Sequence, residues 1–154
     1  MKAEDLFEEI NIELELIEAT LKELSDLHKD VEEREPTVRE KTAAAAFIAQ
    51  FYAGIENILK RISHFNSVPM PTGYTWHIDL FKRFCMPSYK PLPVLFDESL
   101  ALSMGSYRKF RHVVHHGYGF QLDWNRMQEG LVSIDVVFKQ FRTKLNDYLQ
   151  TLEK

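Results

Sequence analysis

Between Ser106 and Trp124 the stretch SYRKFRHVVHHGYGFQLDW gathers Arg108, Arg111, His112, His115, His116 and Tyr118 where a helical pattern runs into a glycine-marked turn. Three kinds of chemistry use such residues. A metal site is one, because His112, His115 and His116 stand at i, i+3 and i+4, a spacing at which imidazoles on one helix face can hold zinc. No second set of carboxylate and histidine at ligand spacing accompanies them, so folding would have to bring in Asp123 or His77. Phosphodiester chemistry is the second. Cleaving RNA without a metal needs a group that takes the proton from a 2′-hydroxyl or gives one to the leaving oxygen, and imidazole, with a pKa of about 6.5, does this near neutrality. It also needs a fixed cation on the phosphate, which a guanidinium supplies through paired donors without losing its charge. His116 falls at the point where the helix gives way to Gly117, so Arg111 and His116 are expected to face one cleft, and the helix C-terminus favours a protonated imidazole there. The third use is structural, with the histidines capping the last carbonyls of a helix. An arginine followed after a few residues by a histidine arises about once by chance at this composition, and Arg108 with His115 fits as well, so spacing alone leaves the three open.

The elements that must position this stretch are helical throughout. From Asp5 to about Glu33, Phe7, Ile10, Leu14, Ile17, Leu21, Leu24 and Val31 recur at alternating spacings of three and four, with His28 at the edge. Leu6, Ile12, Leu16 and Leu27 widen that apolar surface and suggest more than one neighbour, a partner chain included. Pro36 interrupts, and a second helix starts near Thr37 and runs to about Phe65. Phe47, Phe51, Ile55, Ile58 or Leu59, and Ile62 form its stripe, beside a small-residue ridge of Ala45, Ala49 and Ala53. Gly54 costs about 1 kcal/mol in mid-helix, which points to a close approach. Prolines and Gly73 make a loop of residues 66 to 73, after which Thr75 is placed to cap a short helix through Phe84. Phe96 or Asp97 opens the next helix, with Leu100, Met104, Tyr107, Phe110 and Val114 along one side and Arg111 at the edge of that stripe. Gly117 and Gly119 end it, and Asp123 caps a last helix that buries Trp124, Met127, Leu131, Ile134, Val137 or Phe138, Phe141, Leu145, Leu149 and Leu152. Period-two alternation and hairpin turns are missing, so the expectation is an all-α, antiparallel four-helix bundle with one additional short helix, formed as a single domain over residues 1–154.

Composition narrows the partners. A chain of 154 residues buries roughly 70% of its unfolded surface on folding and needs no metal or disulfide to hold it. With 45% apolar and 27% charged residues it reads as an ordinary globular chain. A net charge of -4 gives no overall field that would gather nucleic acid, so any RNA contact must be local. Cys85 stands alone, which suits a reducing cytoplasm. The acidic start and an apolar run no longer than Ala43 to Ala49 give neither a signal peptide nor a membrane span.

The segment RHVVHHGYGF fits R-x4-H-x-Y through Arg111, His116 and Tyr118, and so resembles the HEPN superfamily, in particular its HepT-type toxins. FYAGIENILKRI, WHIDLF and YGFQLDW are similar to HepT-like domains in the same order, so the resemblance covers most of the chain. It implies an RNA endonuclease that works without metal or cofactor. It also implies a homodimer with the arginine and histidine of both subunits in an interface cleft, and a minimal nucleotidyltransferase antitoxin able to attach adenylate to the motif tyrosine. On that resemblance Arg111 positions the scissile phosphate, His116 acts as acid or base, and Tyr118 contacts RNA or is modified. Arg108, His112 and His115 are supporting contacts, and His112 stands where many HEPN nucleases have asparagine or another small polar residue. Glu56 reads as an ordinary exposed glutamate, with a role in orienting Arg111 as the alternative, and His77 as packing beside Trp76. The competing function is a helical module that holds RNA, nucleotide or a partner protein without turnover.

Overall fold

The computed structural model describes residues 2–118 and 121–153, and among them it holds helices and no strand. The helices are α1 (Ala3–Asp30), α2 (Val38–Phe65), α3 (Trp76–Lys82), α4 (Glu98–His116) and α5 (Trp124–Thr151). All five expected elements are present, with α1 ending at Asp30, short of Glu33.

The helix starts follow local chemistry. Thr37 Oγ1 accepts from the Glu40 amide at 3.2 Å while the Thr37 amide donates to Glu40 Oε1 at 2.9 Å, a reciprocal cap on α2. Arg34 donates to both Glu40 oxygens, and this, with the Thr37 amide, holds the Glu40 carboxyl down at about 2. A carboxyl lowered on folding adds stability above its unfolded value of about 4.3, and that contribution is lost as the pH falls toward 2. In a carboxyl-detected NMR titration Glu40 should therefore have its midpoint near 2, and Arg34→Ala should move it toward the unfolded value; an unmoved midpoint would refute the pairing. Asp97 Oδ1 accepts from the Leu100 amide at 2.8 Å, and Asp123 Oδ1 accepts from the amides of Asn125 and Arg126, so α4 and α5 are capped as expected. Thr75 differs: its hydroxyl donates to Asp79 Oδ2 at 3.0 Å and caps no amide. The Gly117 backbone, at φ -118°, ends α4 in an extended conformation. Gly119, the other expected breaker, lies outside the described residues.

Side-chain pairs fix the topology. Arg61, late in α2, reaches Glu9 and Glu13, early in α1, so these two helices are antiparallel. Phe96 stacks on Phe141 and the Tyr107 hydroxyl donates to the Gly130 carbonyl at 2.7 Å, which runs α4 and α5 antiparallel. Phe51 meets Phe138, and Asn66 donates to the Tyr148 hydroxyl, so α5 returns alongside α2 in the same direction. The result is an up-down-up-down bundle with α3 laid against α2. Its core is built from the expected stripes, with Phe51, Tyr52, Ile55, Ile58, Leu59, Phe96, Met104 and Phe141 shut off from solvent. Gly54 sits where a Cβ would come within 2.6 Å of Ile17 Cγ1, the close approach its mid-helix position implied. Of the four residues that broaden the α1 surface, Leu6 is in the core and Leu27 packs against it, while Ile12 and Leu16 are exposed. No described helix is long and apolar enough to cross a membrane.

Candidate functional site: a carboxylate that gathers Arg111 and His77

The polar centre of the molecule is Glu56, on α2. It follows Tyr52 by one turn and has Ile55, Ile58 and Leu59 around it, so helical phase carries it inward and it is 2% exposed. The expectation of an exposed glutamate is thereby corrected. A buried carboxylate must be compensated, and three cationic or hydrogen-bonding groups do so. Arg111 Nη1 donates to Oε1 and Oε2 at 3.2 and 3.3 Å, His77 Nδ1 lies 2.8 Å from Oε2, and Lys60 Nζ is 3.7 Å from Oε1. Arg111, the odd residue on the α4 stripe, is thus turned toward the bundle instead of snorkelling to water.

The hydrogen bonds determine the imidazole. A carboxylate only accepts, so His77 Nδ1 carries the hydrogen and donates it to Glu56, which leaves Nε2 as the bare nitrogen of the neutral ring. Arg111 Nη1, 3.4 Å from that Nδ1, cannot also donate to it, so the arginine and the imidazole are neighbours joined through the shared carboxylate. The His77 ring lies against Trp76, with centroids 3.4 Å apart, and Lys60 sits over the same indole at 4.8 Å. Packing beside Trp76 is therefore only part of what His77 does. A groove lined by Lys60, His64, Val68, Met70 and Trp76 opens beside the cluster.

The guanidinium groups are incompletely satisfied. Arg108 Nε and Arg111 Nε are both buried without an acceptor, on residues that neighbour each other across one turn of α4. An unpaired buried donor costs about 1–3 kcal/mol, so both guanidiniums keep hydrogen-bonding capacity that the described residues leave unfilled. Arg108 otherwise lies 5.9 Å from the Phe81 ring centroid. Tyr52 also has a buried hydroxyl without partner, and burial, followed by the nearby Glu56 charge, pushes its phenol well above the usual value, so it stays neutral.

The histidine stretch is divided by helical phase. α4 stays helical through His116, so at 100° per residue Arg111 and His116 project about 140° apart around the axis, while His115 falls about 40° from Arg111. One chain therefore does not set Arg111 and His116 side by side on the helix. His112, His115 and His116 are all exposed, and the rings of His112 and His116 form a pair with centroids 4.5 Å apart. Tyr118 is 69% exposed, and its amide donates to Gln121 Oε1 at 3.3 Å. Among the described residues no three His, Cys, Asp or Glu side chains come together in a way that would hold a metal ion. The site residues that sequence reasoning undervalued are Glu56 and His77. The signal for Glu56 was its phase on α2; His77 lies in the WHIDLF segment that carries part of the resemblance, but its place beside Glu56 is set by the docking of α3.

A family model described as HepT-like protein matches residues 43–152. The matched span takes in Glu56, His77, Arg111 and His116 together. No curated protein and no solved structure matches the chain.

Proposed function

The chain belongs to the HepT-like protein family, within the HEPN superfamily, and from that premise we propose that it is a metal-independent RNA endonuclease, the toxin of a toxin–antitoxin pair acting in the cytoplasm. Arg111 holds the scissile phosphate, Arg108 assists it, and His116 transfers a proton. What carries the reading is the buried Glu56 carboxylate that holds the Arg111 guanidinium beside the His77 imidazole. Arginine suits this role because its planar fork matches phosphate oxygens and keeps its charge in a partly desolvated place. Arg108, Arg111 and the histidines of two chains in one cleft would supply a basic site on a chain of net charge -4. Trp76 and Lys60 line the adjoining groove, an aromatic and a cation of the kind that accompanies single-stranded nucleic acid.

A second copy of the chain is part of the same proposal. Because Arg111 and His116 diverge around α4, a phosphate gripped by one chain is met by the histidine of another in a homodimer, with His112 and His115 as supporting contacts. Exposed Leu102 and Val113 on α4, and Val132 and Val136 on α5, offer apolar surface for such an interface. Tyr118, 69% exposed, is accessible to a nucleotidyltransferase partner that would adenylylate it. The competing reading, a binding module without turnover, draws on the exposure of all three α4 histidines, since none of them is held by a neighbouring carboxylate.

One experiment separates the two. RNA is incubated with wild type, Arg111→Ala, His116→Ala and His115→Ala in the presence of chelator. The expected result is cleavage by wild type, loss of at least about a hundredfold in Arg111→Ala and His116→Ala, and a smaller loss in His115→Ala. Equal cleavage by all four, or retained RNA binding with no cleavage by any, rejects the catalytic assignment. Light scattering at micromolar concentration should give about twice the 18.1 kDa chain mass; a monomer mass removes the composite cleft.

A further inference from the structure

The geometry points to His77 as a second proton-transfer residue of this site, the general base that takes the 2′-hydroxyl proton while Arg111 holds the phosphate. The inference deepens the ribonuclease reading above and rests on it. Breaking a phosphodiester by attack of the neighbouring 2′-oxygen needs two proton movements, one off the nucleophile and one onto the leaving group. His116 can serve only one of them at a time. Within a single chain, the imidazole placed beside the phosphate-binding arginine is His77, because both bind Glu56, through Nδ1 at 2.8 Å and Nη1 at 3.2 Å.

Three features fit His77 to a base. The Glu56 carboxylate accepts from Nδ1–H and so fixes the tautomer with the lone pair on Nε2, the arrangement by which a carboxylate orients a catalytic imidazole. When Nε2 gains a proton, the buried carboxylate is already in place to stabilise the imidazolium that results. The ring is partly open, with 37% of the side chain exposed, and its Nδ1 is already taken up by Glu56. The groups that face the ring are Glu56 from α2, Arg111 from α4 and the indole of Trp76 from its own helix, with Lys60 close to both Glu56 and the indole. The step balances: the 2′-O–P bond forms as its proton passes to His77 Nε2, the P–O5′ bond breaks, and His116 gives its proton to O5′. The products are a 2′,3′-cyclic phosphate and a 5′-hydroxyl.

The test uses the full-length protein with two probes, a labelled RNA oligonucleotide of mixed sequence and uridine 3′-(4-nitrophenyl phosphate), whose leaving group departs without an acid. His77→Asn keeps an N–H where Nδ1 donates to Glu56 but cannot accept a proton. It should melt at the wild-type temperature, cut RNA about a hundredfold more slowly, and keep that deficit on the nitrophenyl ester. His116→Ala should instead recover most of its activity on the ester. If His77→Asn cleaves RNA within about twofold of wild type while Arg111→Ala does not, His77 is a structural support for Glu56 and the proposal fails with the ribonuclease reading intact. A deficit that disappears on the ester overturns the base assignment. A wild type that cuts neither probe overturns the ribonuclease reading, and this proposal with it.

Discussion

Glu56→Gln is expected to destabilise the protein by about 3 kcal/mol and to abolish RNA cleavage. The carboxylate is almost wholly buried and accepts from Arg111 and His77 with Lys60 close by, so an amide in its place turns two donors toward a donor and leaves a guanidinium without its counter-charge. Breaking a buried pair from one side costs about 3–5 kcal/mol, and the partial exposure of Arg111 and His77 puts this case at the lower end. Activity falls for a separate reason, because the same carboxylate sets the positions of both the arginine and the imidazole. Urea unfolding gives the first effect and the RNA assay the second. A cycle with Arg111→Met should show coupling, the double variant being less destabilised than the sum of the singles. Additive effects within about 0.5 kcal/mol would show that the contact between Glu56 and Arg111 carries no energy.

Gly54→Val should cost about 3 kcal/mol, by overpacking the contact between α1 and α2. Its Cβ would lie 2.6 Å from Ile17 Cγ1 and 2.9 Å from Ile17 Cδ1, and Ile17 is itself buried, so its side chain has nowhere to withdraw. The roughly 1 kcal/mol that a glycine costs in mid-helix is thus outweighed by what its absent side chain permits. Ile17→Ala, costly alone at about 2–5 kcal/mol, should cost much less when combined with Gly54→Val, since the new methyl groups occupy the space it leaves. Thermal unfolding of the three variants checks this, and full additivity would contradict the close approach. The effect reaches the site, because Glu56 lies two residues beyond Gly54 on the same helix.

Much of the fold was readable because amphipathic periods and caps are local. Pro36 with Thr37, Asp97 and Asp123 announced three helix starts, and most of the expected α2, α4 and α5 stripes is buried, with Phe47, Phe110, Val114, Trp124, Leu149 and Leu152 half-buried. Arg111 was recognisable as a residue at odds with its stripe. Its partner was legible only in part, since the phase of Glu56 on α2 turns it inward while the cation it meets on another helix is set by packing. His77 was less legible still, because α3 is short and its placement on α2 depends on tertiary contacts, not on a pattern of its own. The helical continuation of α4 to His116 had the opposite effect: it separated by phase two residues that their spacing in the sequence had appeared to unite.

The proposed reaction is attack by a 2′-hydroxyl on a phosphate held by Arg111, without a metal. The most direct measurement presents the wild-type protein, in chelator, with an RNA oligonucleotide and with the same sequence 2′-O-methylated at every position. The RNA alone should be cut, leaving 2′,3′-cyclic phosphate and 5′-hydroxyl ends. Cleavage of both oligonucleotides, cleavage that chelator stops, or survival of both would contradict it.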